Sequence, residues 1–261
     1  MQRIHTDALV LRSVDFGESD RILHLLIPDS GRLTVIAKGA RRSVRRFAGT
    51  LDLFNQLRVQ VVLPRREAMA RLDLARLSVS FGRLRTDPVR FGLGCYLLEL
   101  FDRLAPDGGN RDDMRRLFAF ALDALRAISD SRPDDRLRTL LELRALDALG
   151  LCPELVRCVR CGGEPGGSEQ VDVHVADGGA LCGACAVRQQ GLMRVHLGTL
   201  RALDQSLRFD IGQLDRLALG GSTLGEAREL VRRFQLFHVG IELRSERFLD
   251  RVLREQAGQA T

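Results

Sequence analysis

Short apolar runs separated by turn-forming residues make up the first eighty residues, and they predict five β-strands. The runs cover residues 6–11, 21–27, 33–37, 57–63 and 70–79. Clusters of Asp, Gly, Ser and Pro separate the first three runs, and Pro64 ends the fourth. Five short strands spaced about 10–15 residues apart are typical of a small β-barrel. The leucines of the last run also fit helical spacing, so periodicity alone does not separate strand from helix there.

From residue 88 onward the apolar positions recur every three or four residues, which is the period of an amphipathic helix. Three such stretches lie between residues 88 and 150. The same period resumes at about 198–207, 224–239 and 245–253. We therefore predict an α+β multidomain protein, with a β-barrel over residues 1–82 and a mostly α-helical domain over residues 83–261.

Four cysteines interrupt the helical part and predict a metal site. Cys158 and Cys161 form one Cys-x-x-Cys pair, and Cys182 and Cys185 form a second pair after twenty residues. Thiolates are soft ligands, and four of them around one point make a closed tetrahedral site for Zn²⁺. A spacer of about 15–20 residues between two such pairs is a recognised zinc pattern. We predict one structural zinc ion in an inserted module of about residues 152–190.

Two other interpretations of these cysteines are open. Four unrelated buried thiols would leave the paired spacing unexplained, and a redox-active pair is normally found in a βαβ context that this sequence lacks. Cys152 precedes Cys158 by six residues and is an alternative ligand, although the Cys-x-x-Cys spacing favours Cys158. Cys95 lies on the apolar side of a predicted helix and is expected in the core.

Composition limits the class of protein. The chain has 261 residues, 45% hydrophobic and 28% charged, which is ordinary for a globular protein. No apolar run approaches the ~18–20 residues that span a bilayer, so no membrane association is expected. The first residues lack the apolar stretch of a signal peptide, and a cytoplasmic location follows. A reducing cytoplasm favours cysteines that bind metal over disulfides.

The positive charge is concentrated in the predicted barrel. The net charge is +6, and residues 1–85 hold 16 Lys/Arg against 8 Asp/Glu. Five cations and no acid lie between residues 38 and 46, in the loop after the third strand. They are Lys38, Arg41, Arg42, Arg45 and Arg46. Further cations of the barrel are Arg12, Arg21, Arg65, Arg66 and Arg71.

This basic loop predicts contact with nucleic-acid phosphates. Arginine binds phosphate bidentately and stacks on bases, and barrels of this size bind single strands through their loops. With no Trp and a single Tyr, the chain offers little for base-specific recognition, so binding that ignores sequence and depends on salt is expected. Phe47 and Phe16 are candidate stacking platforms for bases, but phenylalanine is usually buried, and we expect both in the core. A solvated charged surface is the alternative for the loop.

Several stretches resemble the RecO family of bacterial recombination mediators. The residues that carry the likeness are Asp7–Leu11 with Phe16–Ile22, Gly31–Arg42, the cysteine module Cys158–Cys185 and Ser245–Leu249. They occur in the same order as in the family and cover both ends and the middle of the chain. Residues 86–150 offer no sharp motif for comparison.

The resemblance implies an OB-fold barrel followed by a helical domain that carries the zinc module. It implies binding of single- and double-stranded DNA, annealing of complementary strands, and cooperation with RecR in the RecF pathway. Contact with the C-terminal tail of single-stranded-DNA-binding protein (SSB) and help in loading RecA are implied as well. Arg21, Lys38, Arg41 and Arg42 lie in the family's basic region and are expected DNA contacts, whereas Arg45 and Arg46 rest on charge and position.

Two other functions remain open from the sequence. A zinc-dependent nucleic-acid enzyme would need an open metal position, which four cysteines do not leave, and no phosphate-binding loop of the Gly-Lys-Ser/Thr type occurs. A protein-binding adaptor would use the barrel only as a scaffold. Its candidate surface is Arg228, Arg232 and Arg233 beside Phe234 and Leu236, for which an ordinary amphipathic helix is the alternative. We therefore predict a protein without catalytic activity.

Overall fold

The computed structural model describes residues 2–47, 49–64, 68–165, 169–217, 219–240 and 242–258. Its strands are β1 (Gln2–Phe16), β2 (Asp20–Ile27), β3 (Gly31–Ala37), β4 (Asn55–Leu63), β5 (Ala70–Ser80), β6 (Gln170–His174), β7 (Gly179–Leu181) and β8 (Leu192–His196). Its helices are α1 (Pro88–Leu104), α2 (Arg111–Asp130), α3 (Asp135–Ala148), α4 (Gly183–Ala186), α5 (Leu197–Arg208), α6 (Gly221–Val239) and α7 (Arg244–Gly258). The five predicted barrel strands and the six predicted helices are therefore confirmed. Arg65 and Arg66 lie outside the described residues.

The first five strands close into a barrel with the order β1-β2-β3-β5-β4. All neighbours are antiparallel except β3 and β5, which run parallel, and β4 returns to pair with β1. A closed five-stranded barrel of this kind is an OB-fold, as expected. Its interior is filled by aliphatic side chains from every strand, together with Phe47 and Leu51 from the connection between β3 and β4.

An irregularity in β1 decides which of its side chains enter the barrel. Ala8 and Val10 are buried in the barrel core, but the pairing with β2 shifts between Val10 and Arg12. An extra residue in one strand reverses the alternation beyond it. Val14 and Phe16 are consequently outside the barrel and exposed.

Helices α1 and α2 pack against strands β1, β2 and β3 of the barrel. Leu9 and Leu26 lie opposite each other on β1 and β2, and both are fully buried. Next along β2, His24 lies 2.5 Å (Nδ1 to Oδ1) from the buried Asp102 of α1. Helix α7 joins this unit through Glu99 of α1, whose carboxylate accepts hydrogen bonds from the first backbone amides of α7.

A second compact unit spans residues 133–242 and contains α3, α5, α6 and the cysteine module. The module includes a three-stranded antiparallel sheet with the order β7-β6-β8. Its strands have only three to five residues, and Gly-rich turns lie around them. Too few alternating positions occur in such short strands to reveal them from sequence, so the sheet was not predicted.

The compact units divide the chain differently from the predicted domains. The first unit combines residues 1–132 with 243–261, so α1, α2 and α7 pack with the barrel. The predicted division at residues 82 and 83 follows the change from strands to helices and not the packing. We keep that division as a proposal about domain organisation. Within the described residues, no helix combines the length and apolar character needed to cross a bilayer.

Gly31 opens β3 where the barrel meets the loop before α2, and its substitution should destabilise this unit. Its φ is 73°, and an added Cβ would lie 2.4 Å from the carbonyl oxygen of Pro106. Backbone strain and overpacking together predict that Gly31→Ala lowers the free energy of unfolding by about 3 kcal/mol. Gly17→Ala is the control, since Gly17 also has a positive φ, of 59°, but has free space around it. Urea unfolding should show a loss of only about 1 kcal/mol for Gly17→Ala; equal losses would contradict the steric explanation.

Candidate metal centre and nucleic-acid interface

Each cysteine pair lies on a tight backbone turn. In the first, the Gly162 amide donates to the Cys158 carbonyl and the Cys158 amide donates to the Gly163 carbonyl, both at 2.8 Å. Gly162 has a φ of 73°, a conformation that favours glycine. The second pair lies at the start of the short helix α4, where the Cys185 amide donates to the Cys182 carbonyl at 3.0 Å. A hydrogen bond from the Val159 amide to the carbonyl of Ala180 in β7 joins the two turns.

The four sulfurs converge on one point, as the spacing predicts. All of them lie within 4.8 Å of one another, and the sulfurs of Cys161 and Cys182 are 3.7 Å apart. Four sulfurs at about 2.3 Å from a tetrahedral ion would be about 3.8 Å from each other. Within the described residues this is the group of side chains placed to hold a metal ion, and His174 is not part of it. The donor set therefore fits a divalent ion such as zinc.

The pKa values of the thiols also favour a bound cation. Burial raises the pKa of Cys158, but hydrogen bonds from the backbone amides of Cys182, Cys161 and Arg160 outweigh burial and lower this pKa to about 6. The neighbouring sulfurs of Cys182 and Cys158 raise the pKa of Cys185 to about 12. A second thiolate beside the first is unfavourable because like charges repel. A bound cation removes this conflict, because a coordinating thiol loses its proton.

Cys152 does not join this group. It is half-buried, and burial together with the charges of Asp147, Glu154 and Asp204 raises its pKa to about 12. Its sulfur is not among the four that lie within 4.8 Å of one another. The preference for Cys158 over Cys152 is thus consistent with the geometry.

The basic loop is attached to the turn between β1 and β2. The amide of Gly39 donates to the Asp20 carboxylate at 2.7 Å, and the amide of Arg41 donates to the Ser19 carbonyl at 3.0 Å. Gly39 has a φ of 67° at this turn. At the other end, the Arg46 carbonyl accepts from the Ala75 amide of β5 at 3.1 Å. The loop is therefore held at both ends.

The six predicted DNA-contact residues occupy two kinds of position. Lys38, Arg41, Arg42, Arg45 and Arg46 are exposed on the loop. Arg42 and Arg45 form no ion pair within the described part of the chain. Arg46 donates to the Lys38 carbonyl at 2.5 Å, and its guanidinium lies 4.9 Å from the centre of the Phe47 ring. Arg21 is half-buried at the start of β2.

Asp15 links Arg21 to the loop. Its carboxylate lies 3.0 Å from Arg21 Nε and 3.5 Å from Arg41 Nε. Arg21 also lies 3.7 Å from the carboxylate of Asp52. Two guanidinium groups are thus brought together around one carboxylate. Sequence reasoning counted the cations and missed this acid, although Asp15 stands beside the predicted turn.

The two phenylalanines expected in the core differ in their burial. Phe47 is 1% exposed and lies in the barrel core, which confirms the expectation. Phe16 is 52% exposed, so the expectation that it is a core residue is wrong. The irregularity in β1 explains the difference, because it places Phe16 on the outer face.

The arginines proposed for an adaptor surface on α6 are engaged within their own unit. Arg228 pairs with Asp135 at 3.0 Å, and Arg232 and Arg233 both pair with Glu229. Phe234 is buried, whereas Leu236 is exposed beside the exposed Phe237. The interpretation of α6 as an amphipathic helix is confirmed.

A closed OB barrel with a basic loop, followed by a helical unit with a four-cysteine centre, defines an α+β multidomain protein of the OB-fold class. Two sequence models match it: "Recombination protein O N terminal" over residues 1–81 and "Recombination protein O C terminal" over residues 85–247. The chain therefore belongs to the RecO family. Membership of this family supports a role in DNA repair and recombination.

Curated relatives agree over nearly the whole length. A protein named DNA repair protein RecO from Anaeromyxobacter sp. (strain K) is 37% identical over 255 residues, which cover 97% of this chain and 98% of the relative. The protein of the same name from Myxococcus xanthus is 36% identical and covers 97% of this chain and 99% of its own length. That of Symbiobacterium thermophilum is 32% identical over 254 residues, covering 96% of this chain and 98% of its own length.

The metal centre predicts a clear difference between two cysteine substitutions. Cys158→Ser removes a ligand and should reduce bound metal from about one ion per chain to well below half, because a closed site of this kind uses four thiolates. Cys152→Ser should leave the metal content unchanged. Metal analysis of the purified full chain by mass spectrometry measures both. Equal metal content in the two variants would contradict the assigned ligand set.

Proposed function

We propose that this chain is a recombination mediator that binds single- and double-stranded DNA through phosphate contacts and anneals complementary strands. The observation that carries the proposal is the basic loop, in which five cations are presented on a backbone fixed to the barrel. Contacts to phosphates neutralise charge without reading the bases, so binding would be insensitive to sequence. Family membership supports the placement of this activity in DNA repair.

Annealing would need no catalytic group. Two strands repel each other through their phosphates, and cations that neutralise part of this charge lower the barrier to their encounter. The exposed guanidinium groups of Arg42 and Arg45 extend from the loop without acidic partners in the described residues, which suits this role. The fixed loop would hold the strand backbone while base edges remain accessible.

We propose that the metal is zinc and that it is structural. Four thiolates close the coordination sphere, whereas catalytic zinc usually keeps a position for water or substrate. Cys158, Cys161, Cys182 and Cys185 would hold the ion, which would stabilise the module by crosslinking two turns and the sheet between them. An enzymatic role is therefore not proposed.

The likeness to the family supplies the proposed partners. RecR, the C-terminal tail of SSB and, indirectly, RecA would act with this chain in the RecF pathway, in the cytoplasm at the nucleoid. An adaptor function for the helical unit is compatible with DNA binding by the barrel. The exposed Leu236 and Phe237 at the end of α6 favour a protein contact there.

Removal of the loop arginines should reduce the salt dependence of DNA binding. The variant Arg41→Ala, Arg42→Ala, Arg45→Ala, Arg46→Ala loses up to four phosphate contacts, which corresponds to a decrease of up to about three in the slope of log affinity against log salt for single strands. The control replaces four arginines of helix α2 with alanine, namely Arg111, Arg115, Arg116 and Arg126. Fluorescence anisotropy with a labelled oligonucleotide at several salt concentrations measures the slope.

The control removes the same charge from the same compact unit, so it separates local contact from net charge. A slope that is unchanged in the loop variant, or reduced equally in both variants, would contradict the proposed interface.

Asp15 should weaken DNA binding because it occupies the guanidinium groups of Arg21 and Arg41. Asp15→Asn removes its charge and should raise affinity for single- and double-stranded DNA by about two- to five-fold at low salt, with a smaller gain as salt screens the charges. Asp123→Asn is the matched control, because Asp123 pairs with Arg126 on α2. Titrations at low and high salt measure both variants. A gain of the same size in the control would show that only net charge matters.

A further inference from the structure

The outer surface of the barrel carries apolar side chains beyond the part that packs against helices α1 and α2. Along β2 the outward positions change from Leu26, which is fully buried, through His24, which is bonded to Asp102, to Ile22, which is half-buried. Helices α1 and α2 contact the first three strands, and the short 3-10 helix Ala40–Arg42 of the basic loop contacts β2. The apolar side chains that are exposed in this region belong to β1, the neighbour of β2.

Strand register shows which side chains form the surface. Val14 lies opposite Ile22, and Ile22 lies opposite Ile36. Residues paired in this way point to the same side of a sheet, so the three form one apolar row across β1, β2 and β3. Phe16, two residues beyond Val14, lies on the same side and is 52% exposed. We call these four residues the open face.

Cations border the open face on two sides. Arg71 of β5 lies opposite Ile36 at one end of the row, and its guanidinium is 2.8 Å from the carboxylate of Asp73. On another side, Phe16 is paired with Asp20, which accepts the hydrogen bond from Gly39 of the basic loop. The side chain of Arg41 also reaches the Glu18 carbonyl in the turn directly after Phe16, at 3.4 Å. An exposed aromatic ring therefore stands next to the five-cation loop.

We propose that the open face binds the unstacked bases of single-stranded DNA, with Phe16 as the stacking platform. The inference rests on the proposed function, since the basic loop would hold the phosphates of the same strand. Aromatic rings bind bases of any sequence through their faces, and aliphatic side chains pack against the same surfaces. The combination of an apolar row and a cationic border matches a polyanion whose bases are free.

A duplex does not fit this surface in the same way, because its bases are already stacked and paired inside the helix. Double-stranded DNA would meet only the cations of the loop. The open face would therefore add affinity for single strands alone. The alternative ligand of the open face is an acidic protein segment. Binding of such a segment would not depend on DNA bases.

Phe16→Ala tests the inference with three probes of equal length, and its affinity is compared with that of the original chain on each probe. They are a labelled oligothymidine of 15 nucleotides, an abasic strand of the same length and a blunt duplex of 15 base pairs. The variant should bind oligothymidine about ten-fold more weakly, in the range known for loss of one stacking contact. Its affinity for the abasic strand and the duplex should stay within about two-fold of the original.

Two further variants serve as controls. Leu77→Ala removes an apolar side chain of similar exposure, 49%, from β5. Leu77 lies six residues beyond Arg71, or about 20 Å along the strand, so it should not affect any probe. Phe16→Tyr keeps a flat aromatic ring and should bind oligothymidine within about two-fold of the original chain. Thermal melting of each variant checks that the fold is retained.

The outcomes separate this inference from the proposed function. Equal losses for all three probes would overturn it, because Phe16 would then position the loop and not contact bases. Unchanged affinity for oligothymidine would also overturn it and would leave the open face to a protein segment. Failure of the original chain to bind any of the probes would contradict the proposed function itself.

Discussion

The shifted pairing between Val10 and Arg12 in β1 is the constraint on which the described surfaces of the barrel depend. The first half of this strand supplies Ala8 and Val10 to the core and pairs with β4 to close the barrel. After the shift, the alternation is reversed, and the second half presents Val14 and Phe16 to solvent. Without the shift, alternation would turn Val14 and Phe16 toward the barrel interior, and the outer surface would lose its aromatic ring.

Periodicity and spacing were sufficient to predict the five barrel strands, the six long helices and the cluster of four cysteines, but not the small sheet of the cysteine module. Strands that are buried on one side and helices with one apolar stripe repeat their pattern over many residues, and the cysteine pairs have a fixed spacing. The location of Phe16 was not accessible in this way, because a single inserted residue reverses a strand's orientation without changing its composition. The contact of Arg21 and Arg41 with Asp15 was missed for a related reason: it joins residues from three places in the sequence.

The two candidate sites differ in their charge: the thiols of the first favour a bound cation, and the arginines of the second favour an anionic partner. In the four-cysteine cluster, the sulfurs lie close enough together to share one cation, and backbone amides favour the first thiolate. In the basic loop, the cations are spread along an exposed segment, and the hydrogen bonds that fix the segment come from its backbone and from the side chains of Arg41 and Arg46. The first arrangement would gain stability from a bound ion, which would crosslink the turns of a small sheet. The second keeps its charge available to an anionic partner.

A strand-annealing protein must hold a single strand and then release its bases to a complementary strand. Strong stacking at many positions would oppose release, whereas phosphate contacts alone would not distinguish a single strand from the duplex product. One exposed aromatic ring with a few aliphatic neighbours would bind bases with a strength between these two cases. Stacking on one ring contributes about 1–3 kcal/mol, and each base-pair step of a duplex contributes on average about 1.4 kcal/mol. Formation of two or three base pairs would therefore be enough to remove a base from Phe16, so that the open face would prefer the single strand without trapping it.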